Sequence, residues 1–546
     1  MRFPWCRMVL PAAAWLVLAG TARAGEPAPA KKEAALDARA LANRINAHVQ
    51  ARWKAANVKP APVADDAEFL RRVYLDIAGR IPRVQEIHQF LQDKRPDKRF
   101  LLIDKLLEDH GYVGNFTNIW RDLMIPQANN QFAQAFGPQM EAWLGRKLRE
   151  NVPYDKIVRE LLTADPIGNR GIVRPGQQRQ VSTDPAVLAF YQANELKPEN
   201  LASSTSRIFL GVRLECAQCH DHPFAAFTRD QFWQYAAFFA GIRPFQQQQG
   251  RFQPASYDPS IYEIKIPNSK PERTVKAKFL DGKDPKFAKD VDARALLAEW
   301  MTAADNPFFA KAAVNRLWAH FFGLGIIDPV DEPNPDNPPS HPELLDELAK
   351  QFALNKFDLK YLIKAIAYSD AYQRTSRQTH PTQADPRLFA RMSVKGLSPE
   401  QLYDSLVLAV GYRDPNTTFN RGFVGNRFFG LQGEFRTKFA NHADKRTEFQ
   451  TSILQALSMM NGSFTADATS VTRSNTLAGV IDSPFMDTEG KLNALFLASL
   501  GRKMHPAEVS RLVRYVDKGG PSGDSAKALS DVFWALLNSS EFMFNH

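Results

Sequence analysis

After a short opening segment, the hydrophobic positions of this chain recur at helical spacing almost everywhere. The opening is different. Arg2 and Arg7 flank an apolar run from Met8 to Leu18, interrupted only by Pro11, and Ala22-Arg23-Ala24 follows as a small-x-small cleavage site. That order reads as a signal peptide over 1–24. The run is too short for a bilayer anchor, and no Cys follows the cleavage site to carry a lipid. Residues 25–60 read as an Ala/Pro/Lys-rich leader and a first amphipathic helix, Asp37 to Lys54, with Leu41, Ile45 and His48 at helical spacing.

A helical block then spans 61–244. Asp65-Asp66 caps the run Phe69, Leu70, Val73, Tyr74 and Ile77, which Gly79-Arg80-Ile81-Pro82 breaks. The pattern predicts further helices at Val84–Leu91, Arg99–Leu107, Tyr112–Met124, Glu141–Arg149 and Tyr154–Leu162. A largely helical stretch from Asn194 to Leu214 leads into a Cys-containing turn, and an aromatic helix follows at Asp230–Phe239. Between 245 and 288 the period changes. Tyr262, Ile264 and Ile266 alternate, and Pro, Lys and Asp punctuate the rest, which predicts a small β-containing insertion or linker. Helical periods resume over 289–546, at Ala293–Ala303, Asn306–Gly323, Ser340–Phe352, Leu359–Tyr368, Pro399–Val410, Thr451–Met460, Glu489–Leu500, Pro506–Lys518 and Ala526–Leu537. The expected architecture is mainly α and multi-domain. No later stretch reaches the roughly 18 continuous apolar residues of a membrane span.

Charge narrows the partners. The net charge of +10 falls to +7 once Arg2, Arg7 and Arg23 leave with the signal. The basic residues are interleaved with acids, as in Asp93-Lys94-Arg95-Pro96-Asp97-Lys98-Arg99, and form no stripe of the kind that binds nucleic acid. A mild attraction to an anionic cell-surface polymer is compatible with the balance.

Cysteine usage is the sharpest constraint. Of three Cys, Cys6 lies in the signal, so the mature chain holds Cys216 and Cys219 alone, both in Cys216-Ala217-Gln218-Cys219-His220. Two thiols three apart can each form a thioether to a haem vinyl group, and the adjacent His can ligate the iron; this is the signature of haem c attachment. Attachment takes place outside the cytoplasm, in agreement with an exported periplasmic or extracellular protein. Phe224, Phe227, Phe232, Trp233, Tyr235, Phe238 and Phe239 are candidates for an apolar haem wall. Met124, Met140, His320 and His341 are candidate distal ligands, and an open sixth position is the alternative. Three other readings stand beside haem: a local disulfide or redox dithiol, a metal site adding His222 as a fourth ligand, and a chance motif. Four ligands within seven residues would strain a zinc site, which draws on two separated segments.

Other clusters read as structural. Arg316 and His320 share a helix with Asn315 and Trp318. Asp76 and Arg80 stand four apart as an ion pair. Asp328, Asp331, Glu332, Asp336 and His341 surround a Pro-rich loop that fits no calcium motif and reads as solvated. There is no Gly-rich phosphate loop, no Gly-x-Ser-x-Gly and no His-Glu-x-x-His, and so no nucleotide cofactor is indicated.

Several long strings resemble a known family. Phe69-Leu-Arg-Arg-Val-Tyr-Leu-Asp76 with Gly79-Arg80-Ile81-Pro82, and Phe209-Leu-Gly-Val-Arg-Leu-Glu-Cys-Ala-Gln-Cys-His-Asp-His-Pro-Phe224, are similar to the cytochrome-associated PSCyt-type domain of planctomycete secreted proteins. Asn306-Pro-Phe-Phe-Ala310, Asn315-Arg-Leu-Trp318, His320-Phe-Phe-Gly323 and Asn337-Pro-Pro-Ser-His-Pro-Glu-Leu-Leu-Asp346 resemble the PSD-type domain that follows it. Asn118-Ile-Trp-Arg-Asp-Leu123 departs from the family pattern, where relatives more often read His-Trp-Leu-Asp. The resemblance implies export and a haem-linked context, with a cytochrome or other redox partner; both domains are of unknown function. The rival expectation is a non-redox cell-surface or polymer-processing or binding protein with a Cys216–Cys219 disulfide or a local metal site. The secreted chain is expected to begin at Gly25, which N-terminal sequencing of the exported protein checks.

Overall fold

Two kinds of burial organise the chain: apolar helix faces, and a small number of charged side chains taken fully inside. A computed structural model describes residues 34–125, 131–168, 185–248, 251–288, 291–411, 435, 438–439, 459–460 and 469–546. The segment expected to be a signal peptide and nearly all of the helix expected at Thr451–Met460 lie outside these residues. Leu36–His546 form one compact unit. The fold is mainly α with small two-stranded β elements, as the periodicity predicts. Among the described residues no helix is long and apolar enough to cross a membrane.

The first helix, Ala38–Ala55, is capped by Asp37, whose side chain accepts from the Ala40 N–H, and buries Leu41, Ile45, Val49 and Trp53. The helix from Asp66 to Val73 is capped by Asp65 and passes into a widened π turn, Tyr74–Ala78, that ends at Gly79 in the left-handed region (φ +70°). A Cβ at Gly79 would lie 2.9 Å from Asn115 side-chain atoms, so the turn needs glycine twice over. The same device recurs before the Cys turn. Pro198–Thr205 widens into a π turn, Ser206–Leu210, and stops at Gly211 (φ +64°). The chain then leaves helical geometry until Glu215–Gln218, so the helix expected to reach Leu214 ends four residues early.

The β-containing stretch expected from 245 begins slightly earlier, at Ile242, and holds three antiparallel pairs. Ile242–Arg243 pairs with Ser256–Tyr257, Gln246–Gln248 with Arg251–Gln253, and Glu263–Lys265 with Thr274–Lys276. A fourth pair closes the molecule, with Lys395 opposite Asn545 and Gly396 opposite Phe544.

One apolar cluster runs from Leu41 to Met392, takes in Leu497, and includes Phe209, Phe232, Trp233, Phe238, Phe309, Trp318 and Phe352. A second gathers the helices at Pro399–Val410, Thr488–Leu500 and Ser525–Leu537 against Leu75 and Ile81. Consecutive buried arginines tie the first block to later segments. Arg71 donates to the carbonyls of Ser499 (3.1 Å), Glu541 (3.1 Å) and Phe542 (2.9 Å). Arg72 donates to those of Tyr372 and Arg374, both at 2.8 Å, and pairs with Glu68 at 2.6 Å. Replacing Arg72 by Met strands two carbonyls and a half-buried carboxylate. It is expected to cost about 3–5 kcal/mol, read from the denaturant midpoint, whereas Arg44→Met, which breaks the solvent-exposed pair to Glu347, leaves the midpoint nearly unchanged.

Candidate functional site

The Cys turn is built on a seat that the fold fixes from both sides. Leu214 and Ala217 are buried beneath it, and the Trp233 indole N–H donates to the Gln218 carbonyl at 3.0 Å. These contacts turn the alternate side chains outward. Cys216 and Cys219 are exposed and not joined in a disulfide, and His220 is exposed beside them.

The two histidines of the motif differ in the lone pairs they have left. His220 Nδ1 lies 2.7 Å from the Asp221 carbonyl oxygen. A carbonyl only accepts, so Nδ1 carries the proton and the Nε2 lone pair is free. A backbone carbonyl orienting the far nitrogen is the usual support of a metal-ligating imidazole. His222 is used the other way. Its Nδ1 accepts from the backbone N–H of Phe224 (3.2 Å) and Ala225 (2.9 Å), which leaves the proton of the neutral ring on Nε2 and commits the ring to shaping the loop. Asp221 supports the start of the next helix, which Thr228 caps, its carboxylate accepting from the Arg229 N–H at 2.8 Å. Among the described residues no three His, Cys, Asp or Glu side chains gather as a metal site.

Two exposed thiols and one imidazole lone pair on a single turn meet the donor requirements of covalent haem attachment. The expected apolar wall is not there. Phe232, Trp233, Tyr235, Phe238 and Phe239 are buried in the first core cluster, because the helix and the short turn after it point that whole aromatic face inward. Near the motif, Phe224 is 68% exposed and Phe227 half-buried, so anything attached there sits against an open surface. The four candidate distal side chains are all buried in the interior. Met124 and Met140 are core residues, His320 Nε2 lies 2.8 Å from the Asp76 carbonyl, and His341 Nδ1 lies 3.0 Å from Ser340 Oγ.

The carboxylate-rich loop proves to be part of the seat. Asp331 is buried rather than solvated. Its carboxylate takes Arg207 Nε at 2.5 Å and Arg213 Nη2 at 3.3 Å, and its carbonyl accepts from the Arg213 N–H at 2.9 Å. Glu332 holds the other arm of Arg213 at 2.5 Å. Arg316 adds hydrogen bonds to the carbonyls of Arg207 and Ile208, so its helix face is the structural cluster the sequence predicts. Between these anchors Gly211 passes Ala312 so closely that a Cβ would stand 3.1 Å from the Ala312 methyl. Sequence spacing gave no signal for this brace, which joins positions more than a hundred residues apart. Glu215, at the start of the Cys turn, has one buried carboxyl oxygen without a hydrogen-bond partner, and burial pushes its pKa up.

The Asp76–Arg80 pairing expected from spacing is corrected. The π turn rotates Asp76 inward to Lys395 at 2.7 Å, and Arg80 pairs with Glu86 at 2.9 Å.

Residues 44–244 match the family model PSCyt2, described as a protein of unknown function (DUF1549), and residues 293–423 match PSD1, described as a protein of unknown function (DUF1553). No curated protein and no solved structure matches the chain.

His341 sets a pH dependence. Burial, then the positive charges of Arg52 and His48, lower it from 6.5 to about 4. The unfolded chain therefore binds the extra proton first as pH falls, so this stability is whole above pH 6.5 and is lost between 6.5 and 4. At pH 5 the loss from His341 is expected to be about 1–2 kcal/mol. Denaturant midpoints at pH 7 and pH 5 check it, with a smaller fall in His341→Gln.

Proposed function

The chain belongs to the proteins that pair a PSCyt-type with a PSD-type domain, both of unknown function, and from that premise we propose an exported redox protein whose Cys216–His220 turn carries a covalent haem c. The observation that carries this reading is the uncommitted donor set: two exposed thiols beside a His220 whose Nδ1 proton is spent on Asp221 O, leaving Nε2 to bind. Cys216 and Cys219 would hold the group, each S–H adding across one vinyl, so that no electrons are exchanged and the thiols must arrive reduced. His220 would ligate the iron. The bound group supplies one-electron chemistry.

The chain's own contribution is a rigid and open seat. Leu214, Ala217 and the Trp233–Gln218 bond hold the turn from below, and Asp331 fixes Arg207 and Arg213 on the segment that leads into it. His222 keeps the following loop closed through its two backbone bonds. The exposed Phe224 gives an apolar contact for a redox partner or cytochrome docking over the turn. The same exposure leaves the site more solvated than an enclosed haem, which lowers a reduction potential.

Expressed with its own signal in a host that matures c-type cytochromes, the protein is expected to show a Soret band and a haem stain that survives denaturation. The double variant Cys216→Ala/Cys219→Ala loses the stain, and His220→Ala keeps the stain but changes the iron's spectrum. A colourless protein with two titratable thiols, or one lighter by two hydrogens through a disulfide, overturns the reading.

A further inference from the structure

A second chemically loaded cluster lies far from the Cys turn, in the interior. Lys395 and Asn545 stand opposite each other in the antiparallel pair that closes the fold, and directly paired residues put their side chains on one face. Both point to Asp76. The Lys395 ammonium lies 2.7 Å from Asp76 Oδ1, and the Asn545 Nδ2 amide donates to the same oxygen at 2.8 Å. All three residues are at most 1% exposed. The carboxylate's other oxygen accepts from Tyr372 Oη at 2.9 Å, and Lys395 also donates to the carbonyls of His320 (3.0 Å) and Phe321 (2.6 Å). The Asn545 carbonyl oxygen is buried without a hydrogen-bond partner.

We propose that Lys395 and Asn545 become joined by an intramolecular amide bond, with Asp76 as the proton carrier. An amine and a carboxamide held together, with one carboxylate touching both, are the complete set of reactants. Asp76 Oδ1 takes a proton from the Lys395 ammonium it touches, leaving a neutral amine and a neutral acid for the step that follows. The Lys395 Nζ lone pair attacks Asn545 Cγ. The Cγ–Nδ2 bond breaks, the leaving nitrogen takes the proton from Asp76, which touches it, and a second from Nζ. The new bond is Nζ–Cγ, the product lost is one ammonium ion, and Asp76 returns as a carboxylate. Nothing is oxidised or reduced and no co-reactant enters. Burial excludes the water that would hydrolyse the amide instead, and the register fixes the two groups face to face.

The consequence is a closed covalent loop from 395 to 545 in a protein with no disulfide among its described residues, which shortens the denatured chain's reach.

The test is peptide mapping by mass spectrometry on the full-length secreted chain. The expected result is one branched peptide joining the Lys395 and Asn545 segments, lighter than the sum of the two linear peptides by one ammonia. On a denaturing gel the protein runs ahead of Asn545→Ala, in which the branched peptide is absent. Asp76→Asn keeps the isosteric shape and loses the link. If Asp76→Asn does not fold, Lys395→Arg, which keeps the charge and the carbonyl contacts, serves in its place and also abolishes the branched peptide. Linear Lys395 and Asn545 peptides in the unmodified protein overturn the proposal, as does a link from Lys395 to Asp76 with loss of water.

Discussion

Asp76 is a carboxylate with no access to water, and the fold has to supply every donor that water would have given. An ion moved from water into protein costs several kcal/mol even after relaxation, so the groups that satisfy it are a condition of the fold. They come from remote positions: Tyr372, Lys395 and Asn545 on the carboxylate, and Asn115 and His320 on the backbone carbonyl. The first helical block is therefore unfinished until the chain's last strand has docked.

Asp331 imposes the reciprocal condition. Asp76 lies in the segment matching PSCyt2 and draws on His320, Tyr372 and Lys395 from the segment matching PSD1; Asp331 lies in the PSD1 segment and draws on Arg207 and Arg213 from the PSCyt2 segment. Each segment alone would leave a buried carboxylate without its cations, the situation that costs most. This gives a physical reason for the two domains to occur as a pair on one chain. The first apolar cluster, which takes side chains from both, acts in the same direction but would tolerate a partial separation more readily than the charges do.

What could be read from the sequence follows the range of each interaction. Amphipathic helices were legible, because burial of one face repeats every three to four residues: Ala38–Ala55, Tyr154–Thr163 and Pro342–Leu354 fall within a few residues of their expected bounds. The mainly α class and the β-containing stretch before 288 were legible for the same reason. Local spacing failed where the helix itself changed. It pairs Asp76 with Arg80 only if both stay on one regular helix, and the π turn at Tyr74–Ala78 removes that premise. It read Asp331 as solvated because acids near prolines look like surface, and the cations that bury it are over a hundred positions away. The Cys turn stood out in the sequence as the candidate site, with His220 as the expected ligand and His222 as the alternative, but which ring nitrogen faces a carbonyl and which faces an amide was not legible there.

The aromatic helix after the motif is the most informative mismatch. A run as rich in Phe, Trp and Tyr as 224–239 fits either a cofactor wall or a core, and composition does not separate them. The structure packs Phe232, Trp233, Tyr235, Phe238 and Phe239 among protein side chains, with Tyr235 bonded to Thr205 and Phe238 stacked on Phe279. A core that closes on itself does not need a cofactor to fill it, in contrast to folds whose interior is completed by their haem. The Cys turn is then an appendage whose occupancy is uncoupled from the stability of the body. Its position is set by Asp331 and Trp233 whether or not anything is attached, and both of its thiols face outward.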